Sequence, residues 1–168
     1  MKILIYGNPK LRTKASKVKI IDKDILLLSE KMFREMERNV PKGIGLAATQ
    51  VGLNISLFVY TLDDDRGVVI NPEILSKKGK EVGEEGCLSV PGVYGPVERA
   101  LEIVVRGLDI KGKKFEMHLN GLKARVFQHE IDHLNGIIFT DYINDINTIS
   151  VEEGFEIPEK LFERLKTS

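Results

Sequence analysis

Two of the three histidines in this chain, His129 and His133, stand four positions apart in the run Gln128-His129-Glu130-Ile131-Asp132-His133-Leu134. Side chains at that spacing lie one turn apart on the same face of a helix, so both imidazoles can reach one ion. Glu130, next to the first histidine, is poorly placed to bind that ion. It is well placed to handle the proton of a water held there, as metal-dependent hydrolases require. The alternative is two exposed helical histidines with no ligand, which the presence of only three histidines in the whole chain makes hard to accept.

A catalytic centre of this kind uses three protein ligands and keeps one position open for water or substrate. Three places could supply the third ligand. One protease pattern adds a glycine three residues after the second histidine and a histidine three further on; Gly136 fits, but the last position is Phe139. A second pattern takes a glutamate from a downstream helix, for which Glu152, Glu153, Glu156 and Glu159 are candidates. The third source is Cys87, the single cysteine, in Glu84-Glu85-Gly86-Cys87-Leu88-Ser89-Val90-Pro91. A lone cysteine can equally be a small buried hydrophobe. As a ligand its thiolate would suit iron(II), zinc, nickel or cobalt. A nucleophilic Cys87 is the competing chemistry, but a metal-held thiolate is less free to attack and Glu130 beside activated water makes it unnecessary.

One more stretch has a composition that needs explaining, Gly43-Ile44-Gly45-Leu46-Ala47-Ala48-Thr49-Gln50-Val51-Gly52. Its small residues allow close backbone approach, and Gln50 is a neutral amide in an apolar run. Without a suitably placed lysine it is not a phosphate loop. Gln50 could be satisfied by backbone at a turn, or could donate a hydrogen bond to an oxyanion forming at the metal.

The three stretches, Gly43–Gln50, Glu85–Ser89 and Gln128–His133, resemble in type, order and spacing the three motifs of the peptide deformylases: Gly-x-Gly-Leu-Ala-Ala-x-Gln, Glu-Gly-Cys-Leu-Ser and Gln-His-Glu-x-Asp-His. The resemblance covers nearly the whole chain, with Thr49 at the variable position of the first motif, and stops short of the tail beyond about Asp145. It implies an enzyme that removes the N-terminal formyl group from the formyl-methionine of newly made proteins and releases formate. By the same resemblance Cys87, His129 and His133 are the metal ligands, and Glu130 is the general base and acid for the attacking hydroxide. Gln50 and the backbone N–H of Leu88 stabilise the oxyanion. The metal is iron(II), replaceable by zinc, nickel or cobalt, and the thiolate ligand makes the iron form open to damage by oxygen. Substrate backbone lies against Gly43, Ile44, Gly45 and Gly86, and Ile44, Leu122 and Val126 are candidates for the methionine pocket, although Leu122 and Val126 serve equally well as core. The partner is an N-formylmethionyl nascent chain, which makes a ribosome contact plausible; the weakly basic tail Glu163–Ser168 gives no argument for one. A metalloendopeptidase with a downstream glutamate ligand is the rival reading. It predicts that loss of Cys87 leaves metal binding intact.

These side chains need a frame. Ile25, Leu28, Met32 and Met36 recur at helical spacing, which predicts a helix over about 24–38, capped by Asp22 or Asp24 and ended by Asn39, Pro41 and Gly43. From Gly43 to about Asn120 short β-rich runs follow: Ile55–Leu62, Gly67–Ile70 and Leu101–Val105. Turn clusters separate them: Asp63–Gly67, Asn71-Pro72 and Lys77-Lys78-Gly79. Asp109–Lys114 reads as a hairpin joining Leu101–Leu108 to Phe115–Leu119. Such short connections leave no room for crossover helices, so the sheets are expected to be antiparallel. The histidine helix should begin near Gly121 and end at Asn135-Gly136. With Leu122, Val126, Phe127, Ile131 and Leu134 on several sides it should be buried. Ile137–Ser150 reads as irregular and Pro158–Lys166 as a short helix. His118, outside every motif, reads as structural; Asp132 could orient a neighbour or be an exposed carboxylate. The expected fold class is α+β, antiparallel sheets packed around a central metal-binding helix, in a single catalytic domain over residues 1–168.

Composition agrees. Lysine plus arginine equals aspartate plus glutamate, 25 each, and no run of like charge suggests nucleic acid. One cysteine cannot form an intrachain disulfide, which fits a reducing cytoplasm. No apolar run is long enough for a signal sequence or a membrane span.

Overall fold

The computed structural model describes residues 1–167; Ser168, the last residue of the tail, lies outside them. In chain order the elements are α1 (Lys23–Arg38), β1 (Gly45–Ala47), β2 (Leu57–Leu62), β3 (Asp65–Lys78), β4 (Glu81–Cys87), β5 (Val90–Arg99), β6 (Glu102–Leu108), β7 (Lys114–Asn120), α2 (Gly121–Leu134), β8 (Ser150–Val151) and α3 (Glu159–Lys166). Two antiparallel sheets result, one in the order β1-β2-β3-β6-β7 and one in the order β4-β5-β8. This is the expected α+β arrangement.

Period-two alternation in the central strands explains why the larger sheet is covered on both faces. Leu46, Leu57 and Val59 point to one side, where Met32, Phe33 and Met36 of α1 pack on them. Ala47, Phe58 and Tyr60 point to the other, where Ala124, Phe127, Ile131 and Leu134 of α2 pack. Phe127 meets Phe58 edge-on, with ring centroids 5.0 Å apart. The Asp22 carboxylate starts α1 by accepting hydrogen bonds from the backbone N–H groups of Asp24 and Ile25. With one face of α2 on this sheet, its other face, carrying His129, Glu130 and His133, is turned toward the smaller sheet. A third apolar cluster, built on Val90, Val93 and Val97 of β5 with Phe139, Leu161 and Leu165, closes that side.

The hairpin at Asp109–Lys114 forms as expected: the Asp109 carboxylate accepts from the N–H groups of Lys111 and Lys113. One expected break does not end a strand. β3 runs straight through Asn71-Pro72 with shifts of register against β6 between Ile70 and Glu73 and between Ile74 and Ser76. There Asn71, at φ +51°, uses its side-chain amide to bond both backbone groups of Val18. The residues of a turn thus make a bulge, because the amide replaces ladder bonds that proline cannot supply. The Lys77-Lys78-Gly79 cluster does end β3, which stops at Lys78, with Gly79 at φ +69° in the turn to β4. Ile137–Ser150, read as irregular, contains two 3-10 turns, Phe139–Tyr142 and Ile146–Thr148, and leads into β8, which pairs with β5.

Candidate metal centre and active site

β4 ends at Cys87, where its register against β5 shifts, so that Gly86 faces Tyr94 but Cys87 faces Val90. That bend brings the thiol to the face of α2 carrying the histidines. One ligand atom from each of Cys87, His129 and His133 lies within 4.8 Å of the others, and Sγ of Cys87 is 3.2 Å from Nε2 of His133. Ligands around a tetrahedral ion are separated by about 3.5 Å, given bond lengths of about 2.0–2.3 Å. No other such group of three occurs among the described residues. The downstream glutamates Glu152, Glu153, Glu156 and Glu159 are all exposed.

The electrostatics suit a cation. Nδ1 of His129 is 2.8 Å from Oε1 of Glu85, leaving Nε2 for an ion. Burial opposes charge on His129, yet its hydrogen bonds to Cys87 and Glu85 raise its pKa well above the ordinary value. The same anions would favour a metal dication in that place. Burial first, and then His129, push His133 well below the usual range, so it is neutral as a ligand must be. Burial would also lift Glu85, but the guanidinium of Arg99 and then His129 reverse the effect and hold it at about 2. Cysteine sulfur, two imidazoles and this negative surround together fit a divalent transition metal.

Glu130, 3% exposed, has its Oε2 buried with no hydrogen-bond partner. Burial raises its carboxyl to about 7. Its other oxygen rests on Gly45, where an added Cβ would lie 2.5 Å from Oε1. The close approach that the small residues of the first motif permit at Gly45 is therefore to this carboxylate. Gly45→Ala is expected to displace Glu130 and lower kcat by on the order of 10²-fold, with circular dichroism unchanged; a near-normal kcat would show that the contact is slack. Gln50 uses both ends of its amide. Oε1 accepts from the N–H of Ala47, and Nε2 donates to Ser89 Oγ at 3.1 Å and to Cys87 Sγ at 3.4 Å. The carbonyl is fixed by backbone, so the NH₂ faces the metal centre.

A cleft of about 300 Å³ opens over these groups. Gln50, Cys87, Leu88, His129 and Glu130 line it, as do all six residues expected to meet substrate: Gly43, Ile44, Gly45, Gly86, Leu122 and Val126. Of the two that could have been core, Leu122 is 60% exposed and Val126 is buried. His118 is exposed on β7, away from the cleft.

A model of the polypeptide deformylase family matches residues 1–148. The chain belongs to the polypeptide deformylase family. It is 44% identical over 158 residues to the peptide deformylase of Alkalilimnicola ehrlichii, covering 92% of this chain and 88% of that one. It is 41% identical over 164 residues to the peptide deformylase of Nitrosococcus oceani, covering 96% and 97%. Among solved structures, a peptide deformylase from Legionella pneumophila superposes with a TM-score of 0.83 at 37% identity, covering 99% of this chain and 93% of that one. One from Synechococcus elongatus, in complex with actinonin, gives 0.82 at 38%, covering 99% and 85%. The activity is accordingly that of a deformylase: metal-dependent hydrolysis of the formyl group on the N-terminal methionine of new proteins, releasing formate. Nothing favours the endopeptidase.

Several functional neighbours escaped the sequence reading. Arg99 donates to both oxygens of Glu85 at 2.9 Å and also to Asp132, while Arg125 donates to Glu85 at 2.8 Å. Asp132 further accepts from the Tyr142 hydroxyl at 2.7 Å, so it orients neighbours and is not a free surface carboxylate. Phe139, whose identity excluded a third histidine, stacks on His129 at 6.1 Å. Arg99 and Arg125 lie outside the three motifs, and only Glu85 carried a signal, as the first residue of the second one. Among the described residues no helix is long and apolar enough to cross a membrane.

Proposed function

We propose that Cys87, His129 and His133 hold the deformylase metal, iron(II) in the cell, and that Glu130 is the residue that moves protons. The observation carrying this reading is the convergence of the three ligand atoms with the partnerless Oε2 of Glu130 in one cleft. When bound, the metal supplies a water acidified toward neutral pH and a Lewis acid for the formyl oxygen. The backbones of Gly43–Gly45 and Gly86 receive the peptide, and Ile44, Leu122 and Val126 take the methionine side chain. Glu130 accepts a proton from the attacking water at Oε2; its raised pKa suits a group that must take up and give back a proton near neutrality. As the formyl carbon becomes tetrahedral, Gln50 Nε2 and the Leu88 N–H donate to the oxygen on which charge grows. Glu130 then delivers its proton to the departing amine nitrogen as the C–N bond breaks, leaving formate and a free N-terminus. The setting is the cytoplasm, on nascent chains.

The test is formate release from formyl-Met-Ala-Ser by protein purified without oxygen and loaded with iron(II), beside a metal assay of Cys87→Ala. Wild type should release formate, and the variant should lose both metal and activity. A variant retaining metal at full stoichiometry would overturn the ligand assignment.

A further inference from the structure

Residues 3–15 contribute no strand to either sheet and supply no group to the chemistry described above. Yet this segment is bonded to the first two motifs and to the end of the helix that carries the third. The N–H of Leu4 donates to the carbonyl of Gln50 at 2.7 Å, and the N–H of Tyr6 donates to the carbonyl of Ser89 at 2.8 Å. Further on, the N–H of Ala15 donates to the carbonyl of Leu134 at 2.8 Å, and Nη1 of Arg12 to that of Gly136 at 3.1 Å. Arg12 is itself fixed by both carboxylate oxygens of Asp141, at 2.6 and 3.0 Å. Ile3 and Leu11 are buried in two different apolar clusters and anchor the segment between them.

The bonds from Leu4 and Tyr6 bear on the reaction. Gln50 follows β1 of the larger sheet, whereas Ser89 lies between β4 and β5 of the smaller one. Two N–H groups only two residues apart tie these places together, across a covalent span of at most about 7 Å. At one end of the span is Gln50, whose Nε2 is one oxyanion donor. At the other is the backbone that carries the second donor, the N–H of Leu88. The turn that follows holds the span in place: the N–H of Asn8 donates to the carbonyl of Ile5 at 3.0 Å, and Gly7 has φ +97°. Tyr6 does not share that positive φ, so the turn is of type II with Tyr6 at its second position, where proline is well accommodated.

We propose that Leu4–Tyr6 is a positioning segment for the reaction, its two N–H groups setting the spacing between the Gln50 amide and the Leu88 N–H. The inference rests on the deformylase reading, which gives those two donors their role. Such donors act only where they meet the oxygen on which charge develops, so a small displacement of one against the other costs rate more than ground-state binding.

The experiment compares Tyr6→Pro with Tyr6→Ala. Both lose the ring, both suit the turn, and proline alone loses the N–H to Ser89. With iron(II)-loaded protein and formyl-Met-Ala-Ser, Tyr6→Pro should have a kcat about tenfold below that of Tyr6→Ala, with equal KM and metal content. That is less than the loss on the order of 10²–10³-fold typical of removing an oxyanion donor outright. In a Gln50→Ala background the ratio between the two variants should shrink, because one of the two donors held in register is gone. Equal kcat in the two variants, a difference confined to KM, or a ratio unchanged by Gln50→Ala would overturn the proposal alone. So would a Tyr6→Pro protein that fails to fold where Tyr6→Ala folds, since the bond would then serve stability. Failure of the wild type to release formate would overturn the deformylase reading and this proposal with it.

Discussion

Glu130→Ala is expected to lower formate release by about 10²–10⁴-fold while metal stays bound, the loss typical of removing a general base that also acts as acid. The residue sits in the same helical turn as His129 but provides none of the three converging ligand atoms, so metal content should remain at wild-type stoichiometry. Its Oε2 has no partner within the protein, and losing it leaves no buried donor unsatisfied. Replacing a buried acid by a methyl group should therefore cost little stability, and the fold should survive. Glu130→Gln is the sharper variant. It preserves the shape against Gly45 but can neither take up nor return a proton, so it should be nearly as inactive as alanine. Formate assay with metal analysis on the same preparations decides the matter. Substantial activity in the glutamine variant would mean that the side chain only positions substrate, and the proton would need another carrier.

Why this residue could be read from the sequence, and others could not, follows from range. His129, Glu130 and His133 share one turn of helix, so their relation is set by helix geometry and is visible as spacing. Cys87 and Gln50 were reachable through motifs, but the residues alone left Cys87 in competition with four downstream glutamates. What brings Cys87 beside the histidines is the shift of register at the end of β4, a property of strand pairing. The apolar residues around α2 told equally well that a central helix would be buried. Asn71-Pro72 misled because turn chemistry is local, whereas the hydrogen bonds that keep β3 continuous come from Val18, 53 residues away. Arg99 and Arg125 gave no signal for the same reason: each is matched to Glu85 across sheet and helix.

That buried group supports the second large effect. Glu85→Ala is expected to destabilise the protein by about 3–5 kcal/mol, because it strands two guanidinium groups, and to weaken metal binding by about 10–100-fold. The Glu85 and Arg99 side chains are each 5% exposed and Arg125 is 12% exposed, so water cannot replace the lost carboxylate. The metal effect has a separate cause, since Glu85 fixes the ring of His129 through Nδ1. Arg99 also holds Asp132, three residues beyond His129 on α2, so the network grips the metal helix at two points. The pH dependence follows from the direction of the shift. Glu85 has a folded-state pKa of about 2 against an ordinary 4.5, so its contribution is complete above 4.5 and is lost as pH falls from there through 2. A shift of that size corresponds to on the order of 3 kcal/mol. Urea unfolding of the metal-free protein between pH 6 and 3 should show wild type losing stability along the acid limb, and Glu85→Gln starting lower and declining less steeply. Parallel acid limbs in the two proteins would place the acid sensitivity in other carboxylates. Metal titration at neutral pH then separates the two roles: Glu85→Gln can accept a hydrogen bond from Nδ1 of His129 through its amide oxygen and should recover part of the affinity that alanine loses. Equal affinity in wild type and Glu85→Ala would show that His129 is held by packing against Phe139 alone.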